Sequence, residues 1–295
     1  MTCVLETTGL GRRYGNLWAL QDCALSLAPG HLAGLVGPNG AGKTTLLHLI
    51  MGLLAPTTGA VRVSGYDPLR QPLEMLKRVG FVAQDRPLYR SFTVHEMLTF
   101  GARLNTRWDG ALARQRLARL GIPTERRIAQ LSGGQQAQVA LVLALAKCPE
   151  LLILDEPVGN LDPLARREFL QLLMESVAET GQTVLLSSHQ IGDLDRVCDY
   201  LIVLAGGQVQ AAEDMQEFQQ RHHWLICPSE QAGAVAQRFT VLQAGQSARA
   251  STFLVRTDGA EPVPGWDMQP ASLEDIILAY LARPTHQKAC EGAAQ

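Results

Sequence analysis

What the chain lacks narrows its function before any motif is read. No apolar run is long enough to cross a bilayer. The longest stretches, residues 46–55 (interrupted by His48 and Gly52) and residues 139–146, fall well short of the roughly 18 to 20 residues a spanning helix needs. The first residues also lack the basic-then-apolar order of a secretory signal, because Glu6 and Arg12-Arg13 follow only a short apolar start. Work at a membrane is therefore expected to use a span supplied by another chain. Excess positive charge is missing too. Lys and Arg number 26 against 28 Asp and Glu, a net charge of −2, so there is no overall basic balance to release counterions from nucleic acid. The 6 cysteines, Cys3, Cys23, Cys148, Cys198, Cys227 and Cys290, include no C-x-x-C pair and have no histidine at zinc-finger spacing. That pattern favours reduced thiols in a reducing compartment over metal or disulfide roles. Internal repeats and low-complexity tracts are absent as well. What remains is an ordinary globular composition, 46% apolar and 18% charged over 295 residues, enough for one large domain or a domain with an appendage.

Short apolar runs alternate with turn signals in the N-terminal part. Leu5, Leu10 and residues 19–27 read as early strands, and Pro29-Gly30 as a turn. Residues 32–36 read as a strand ending in a Gly-rich loop, and an apolar helix starts after Lys43. Thr57-Thr58-Gly59 predicts a turn before a strand over 60–64. Residues 86–145 read as mainly helical, with helices over 94–103 and 111–120, the second stopped by Gly121 and Pro123. The branched run 151–154 predicts a strand buried on both faces. A helix over 165–180 places Phe169, Leu170, Leu173, Met174 and Val177 on one face and stops at Gly181. A buried strand over 183–187, a helix over 191–200 and a hairpin around Gly206-Gly207 follow. The alternation predicts an α/β doubly wound sheet. From Met215 onward the signals weaken. Strands over 224–227 and 252–256, a helix over 234–239 and another over 272–281 suggest a small α+β appendage. Ser272 and Asp275 have capping-box spacing, and the tail after Pro284 is expected to fray.

Three segments carry chemistry. Gly37-Pro38-Asn39-Gly40-Ala41-Gly42-Lys43-Thr44 matches the P-loop pattern G-x-x-x-x-G-K-[ST] in full. Its glycines let backbone N–H groups curl around phosphate oxygens, and the helix that follows turns its positive end to the same anion. Lys43 is expected to neutralise β- and γ-phosphate charge, Thr44 to place a hydroxyl on Mg²⁺, and Thr45 to add a phosphate hydrogen bond. The buried strand 151–154 delivers Asp155 to the metal side of the nucleotide and Glu156 to the attacking water. Between them, Leu131-Ser132-Gly133-Gly134-Gln135 reads as a capped helix start with unshielded N–H groups, a second anion-binding end.

In this order and spacing the segments resemble an ABC-type ATPase subunit over residues 1 to 210 or so. The fold expected is a P-loop NTPase cassette. Residues 1–85 and 146–214 form its nucleotide-binding core, 86–145 a helical subdomain carrying the signature, and 215–295 an accessory region. The resemblance implies that Gln84 is the Q-loop glutamine that touches Mg²⁺ and senses a membrane partner, and that Tyr14 stacks on adenine, with Trp18 as the alternative. It implies that Gly159-Asn160-Leu161-Asp162 is the D-loop at a dimer interface and that His189 is the switch histidine holding the γ-phosphate. Catalytic roles thus fall on Glu156, His189 and Gln84. ATP contacts are expected from Tyr14, residues 37–45, Ser132, Gly133, Gly134, Gln135 and Asp162, and Mg²⁺ contacts from Thr44, Gln84 and Asp155. Two positions depart from the common pattern: Ala137-Gln138 stands where a basic residue often follows the signature, and Ala83 where Pro is frequent before the Q-loop.

The resemblance further implies a homodimer or heterodimer of ATPase subunits sandwiching two ATP molecules head to tail. It implies a transmembrane permease partner, a peripheral place on the cytoplasmic side of the membrane, and no nucleic acid. Export is favoured: Ser272-Leu273-Glu274-Asp275 before an apolar helix resembles the C-terminal end of drug and antibiotic exporter ATPases, and residues 105–109 and 164–170 resemble a bacterial branch encoded beside GntR-type repressors. Repair and chromosome ATPases insert a long domain between P-loop and signature, whereas only 89 residues separate Lys43 from Ser132. Translation types carry two cassettes, and this chain has one. A regulatory module on a membrane partner would share the same ATPase core and stays open. A dehydrogenase is excluded, since the loop is not G-x-G-x-x-G and Lys43-Thr44 has no role there.

Overall fold

The computed structural model describes residues 3–246, 250–259 and 263–282. The chain divides into two compact units, Met1–Asp214 and Met215–Gln295. In the first, β1 (Leu5–Tyr14) and β2 (Leu17–Leu27) pair antiparallel across a turn at Gly15. After β3 (Leu32–Val36) and α1 (Lys43–Ile50), β4 (Thr58–Val63) joins the other side of β1 to give a sheet ordered β2-β1-β4. Buried and exposed residues roughly alternate along the second half of β2 and the end of β4, as in a sheet with one face on the core.

The second sheet is mixed. The chain runs through α2 (Pro72–Leu76), β5 (Val79–Val82), α3 (Val94–Leu104), α4 (Gly110–Arg119), α5 (Gly133–Ala146) and β6 (Leu151–Leu154). It continues through α6 (Pro163–Thr180), β7 (Thr183–Ser188), α7 (Ile191–Val197), β8 (Tyr200–Ala205) and β9 (Gln208–Asp214). The strand order is β5-β6-β7-β3-β8-β9, parallel except for the antiparallel last strand. Every residue of β3, β6 and β7 is buried, which is why they read as continuous apolar runs.

Three expectations need correction. The helix expected over 191–200 stops at Val197, and Tyr200 opens β8. Asp199 draws the chain into the sheet: its Oδ1 accepts from the Leu32 N–H at 3.0 Å, and its own N–H donates to the Leu32 carbonyl at 3.0 Å. On α6, Met174 is 42% exposed and Ser176 is buried instead. The buried residues are Phe169, Leu170, Leu172, Leu173 and Ser176, and the Ser176 hydroxyl is satisfied by the Leu172 carbonyl and the Arg116 guanidinium. Asp275 completes only half of its capping box. Its N–H donates to Ser272 Oγ at 3.1 Å, but its carboxylate accepts from that same hydroxyl at 2.7 Å and from Trp224 Nε1 at 3.3 Å. Asp is one methylene shorter than the preferred Glu.

The second unit contains α8 (Met215–Gln220), β10 (His222–Pro228), α9 (Ala232–Arg238), β11 (Thr240–Gln246), β12 (Ala250–Arg256), β13 (Asp267–Pro270) and α10 (Leu273–Ala282). Its antiparallel sheet is ordered β11-β12-β10-β13. Leu225, Cys227, Val235, Phe239 and Val255 form its core. Cys290 and the tail after Pro284 lie outside the described residues. No described helix is long and apolar enough to cross a membrane.

Candidate functional site

Strand order assembles the site. β7 lies between β6 and β3, all three parallel, so their C-terminal ends open side by side. Val36 at the end of β3 is level with Ser188 on β7, and Leu154 at the end of β6 is level with Leu186. The residues that follow these ends are Gly37, Asp155-Glu156 and His189.

The loop from Gly37 to Gly42 cannot carry side chains at its ends. A Cβ on Gly37 would lie 2.3 Å from the Leu204 carbonyl oxygen. Gly42 has φ +103° and would bring a Cβ within 2.5 Å of the Ala19 carbonyl oxygen. α1 begins at Lys43, so its first N–H groups have no partners within the helix. Thr44 is exposed and Thr45 half-buried on its first turn. Lys43 is 6% exposed, and its Nζ donates to the carbonyls of Gly37 at 2.8 Å and Pro38 at 3.3 Å.

A chain of polar contacts runs from this ammonium. Lys43 Nζ lies 3.3 Å from Glu156 Oε1, and Glu156 Oε2 lies 3.0 Å from His189 Nδ1. Glu156 is 13% exposed and His189 41%. A buried ion pair keeps its charges only when geometry compensates for lost water, and here the lysine has two carbonyls besides its carboxylate. Asp155 is buried, and its Oδ1 accepts from Ser187 Oγ at 2.8 Å. The same hydroxyl accepts the Glu156 N–H at 2.8 Å. Glu156 has φ +43°, a left-handed conformation that non-glycine residues adopt at an energetic cost and that concentrates at functional sites. Ser187 was missed by sequence reasoning. Its signal was a hydroxyl near the end of an otherwise apolar buried strand.

The other expected residues sit on neighbouring segments; β5, which leads to Gln84, pairs with β6, and the Asp155 N–H donates to the Val82 carbonyl at 2.9 Å. Gln84 is exposed in the turn after β5. Tyr14, at the end of β1, is 47% exposed, with the Arg12 guanidinium 4.9 Å from its ring centroid. Trp18 is half-buried beneath Arg13. Ser132 caps α5 through a complete capping box: Ser132 Oγ accepts from the Gln135 N–H at 3.2 Å, and Gln135 Oε1 accepts from the Ser132 N–H at 3.1 Å. Gly134 packs so closely on α6 that a Cβ would sit 2.6 Å from Ala165 Cβ. Asp162 caps α6, accepting from the N–H groups of Leu164 and Ala165. Among the described residues, no hydrogen bond or ion pair joins Ser132–Gln135 to the Lys43–Glu156–His189 chain.

Residues 20–159 match the family model described as ABC transporter. The chain is 28% identical over 293 residues to the ABC transporter ATP-binding protein YtrB of Bacillus subtilis (strain 168), covering 94% of this chain and 97% of that protein. It is 36% identical over 209 residues to the Nod factor export ATP-binding protein I of Rhizobium johnstonii (strain DSM 114642 / LMG 32736 / 3841), covering 69% of this chain and 67% of that one. Its fold superimposes on the dimeric structure of MJ0796, a bacterial ABC transporter cassette, with TM-score 0.64 and 28% identity over 72% of this chain and 98% of that one. The chain belongs to the ABC transporter ATP-binding family: it is an ATP-binding, ATP-hydrolysing cassette subunit.

Proposed function

We propose that the chain hydrolyses ATP in a head-to-tail dimer of ATPase subunits and so powers export through a separate membrane subunit. The observation that carries this reading is the Lys43–Glu156–His189 chain, with a buried lysine and a more open histidine, at the open ends of β3, β6 and β7. Phosphate oxygens entering the glycine loop compete with Glu156 for the Lys43 ammonium. Glu156 then turns to the attacking water as general base, while His189 keeps a hydrogen bond on the γ-phosphate side. Tyr14 stacks on adenine, and Thr45 adds a phosphate contact.

Thr44, Asp155 and Gln84 offer oxygen donors, the chemistry that Mg²⁺ prefers. Among the described residues no group of three or more His, Cys, Asp or Glu could hold a metal by itself. That fits an ion bound through one carboxylate, a hydroxyl and the substrate's own phosphates. Held by these residues, such an ion would supply positive charge against the nucleotide's phosphates. Ser187 holds one oxygen of Asp155 still for it.

Ser132 and Gln135 cap a helix start that leaves the Gly133 and Gly134 N–H groups for an anion, with no bonded link to the chain's own P-loop group. It serves the nucleotide of the opposite subunit, with Asp162 beside that interface. The dimeric MJ0796 cassette supports such pairing. The helical region 86–145 presents a groove of about 320 Å³, lined by Phe81, Leu88, Phe100, Leu104 and Trp108, next to the Gln84 turn. In this reading an apolar segment of the membrane subunit docks there, and the chain sits at the cytoplasmic side of the membrane. Export follows the naming of the Nod factor export relative.

The test is affinity purification of the tagged chain from detergent-solubilised membranes. An integral membrane protein should co-purify and change the ATPase rate, and Leu104→Glu in the groove should reduce its recovery. Recovery of no membrane protein, or equal recovery with Leu104→Glu, contradicts the reading.

A further inference from the structure

Arg86 lies two residues beyond Gln84 and reaches the signature. Its Nη1 donates to the Gly133 carbonyl at 3.1 Å. The backbone is shaped for that reach. Arg86 has φ +47°, its N–H donates to the Ala83 carbonyl at 3.0 Å, and its carbonyl accepts the Leu88 N–H at 2.7 Å. A left-handed arginine is costly, so this turn has to be held by its surroundings. The side chain is half-buried, and burial pushes its pKa down. It also lines the apolar groove assigned above to the membrane subunit.

The bonded atom matters. The Gly133 carbonyl and the Gly134 N–H belong to one planar peptide unit. Fixing the oxygen fixes the direction of the N–H on the opposite edge. The capping box uses the Gln135 N–H, and helix geometry leaves the Gly134 N–H without an intrahelical partner. Gly134 cannot shift toward α6, where Ala165 already stands against it. A charged donor on the carbonyl also polarises the peptide and strengthens its N–H as a donor.

We infer that Arg86 is a positioning residue, whose guanidinium aims the Gly133–Gly134 peptide at the opposite subunit's nucleotide and makes that aim sensitive to what occupies the adjacent groove. This rests on the head-to-tail reading, in which each signature serves the other chain's P-loop.

Two mixed dimers test it, made from full-length chains with different tags and purified through both. In the first, a Lys43→Ala chain pairs with an Arg86→Asn chain; the competent P-loop then faces a signature with Arg86 intact. In the second, a chain carrying both Lys43→Ala and Arg86→Asn pairs with wild type; the competent P-loop then faces a signature without Arg86. Asn tolerates the left-handed backbone but is too short to reach Gly133. Each ATPase rate is compared with that of the Lys43→Ala and wild-type pair. The fall in the second dimer should exceed that in the first by about tenfold, the scale of one lost hydrogen bond to a charged group. A folding defect would depress both alike. Equal falls, or a larger fall in the first dimer, overturn the role of Arg86 alone. Failure of Glu156→Gln to dimerise with ATP and Mg²⁺ in the same buffer removes the head-to-tail reading, and this inference with it.

Discussion

Ser187 serves two neighbouring groups with one hydroxyl, donating to Asp155 and accepting from the Glu156 backbone. Ser187→Ala leaves a buried carboxylate oxygen and an N–H without partners. Stability should fall by about 1–3 kcal/mol, read from urea denaturation. kcat should fall more than KM for ATP changes, because the glycine loop proposed to hold the nucleotide is untouched. Lys43→Ala should instead abolish nucleotide binding, read by titration with a fluorescent ATP analogue, since no other buried cation stands in that loop among the described residues. The P-loop and the Asp155-Glu156 pair were legible in the sequence because each is contiguous and has a chemical reason for every residue type. Ser187, Arg86 and the Lys43–Glu156 contact were not. They depend on β7 lying between β6 and β3 and on where a turn points a side chain, and neither is written in local spacing.

At the scale of elements, α5 joins a capping box to a glycine that packs without room. Gly134→Ala puts a methyl 2.6 Å from Ala165 Cβ on α6. Overpacking of this kind should lower stability by about 1–3 kcal/mol, measurable as a shifted denaturation midpoint with unchanged slope. Gly133, with open space around its Cβ position, should accept alanine with a smaller loss. Strands buried on both faces, such as β3, β6 and β7, were readable as apolar runs with turn residues nearby. β5 escaped notice because four residues containing Gly80 carry little periodicity. The end of α7 was misplaced because the competing interaction, Asp199 with Leu32, spans distant parts of the chain.

The whole molecule is two units with separate cores, and the second carries its own titration. His222 is buried, with Nδ1 2.6 Å from the Phe218 carbonyl and Nε2 3.1 Å from the Tyr280 hydroxyl. Burial, more than any neighbour, holds its pKa below the usual 6.5; Arg256 and His223 also lower it, while the Phe218 carbonyl and Asp258 raise it. The folded chain therefore resists a proton that the unfolded chain accepts. The stability His222 contributes is full above pH 6.5 and is lost as pH falls from there through the lower folded value. The urea midpoint of the second unit's transition should drop between pH 7.5 and 5.5, and His222→Gln should flatten that slope.

For the first unit, the head-to-tail reading requires that ATP join two chains. Light scattering of purified Glu156→Gln, with and without ATP and Mg²⁺, measures it directly. Removing the proposed general base should slow hydrolysis by about 10²–10⁴-fold and so preserve the bound nucleotide. The mass should double with ATP and stay that of a single chain without it. A single-chain mass with ATP demonstrably bound would contradict it.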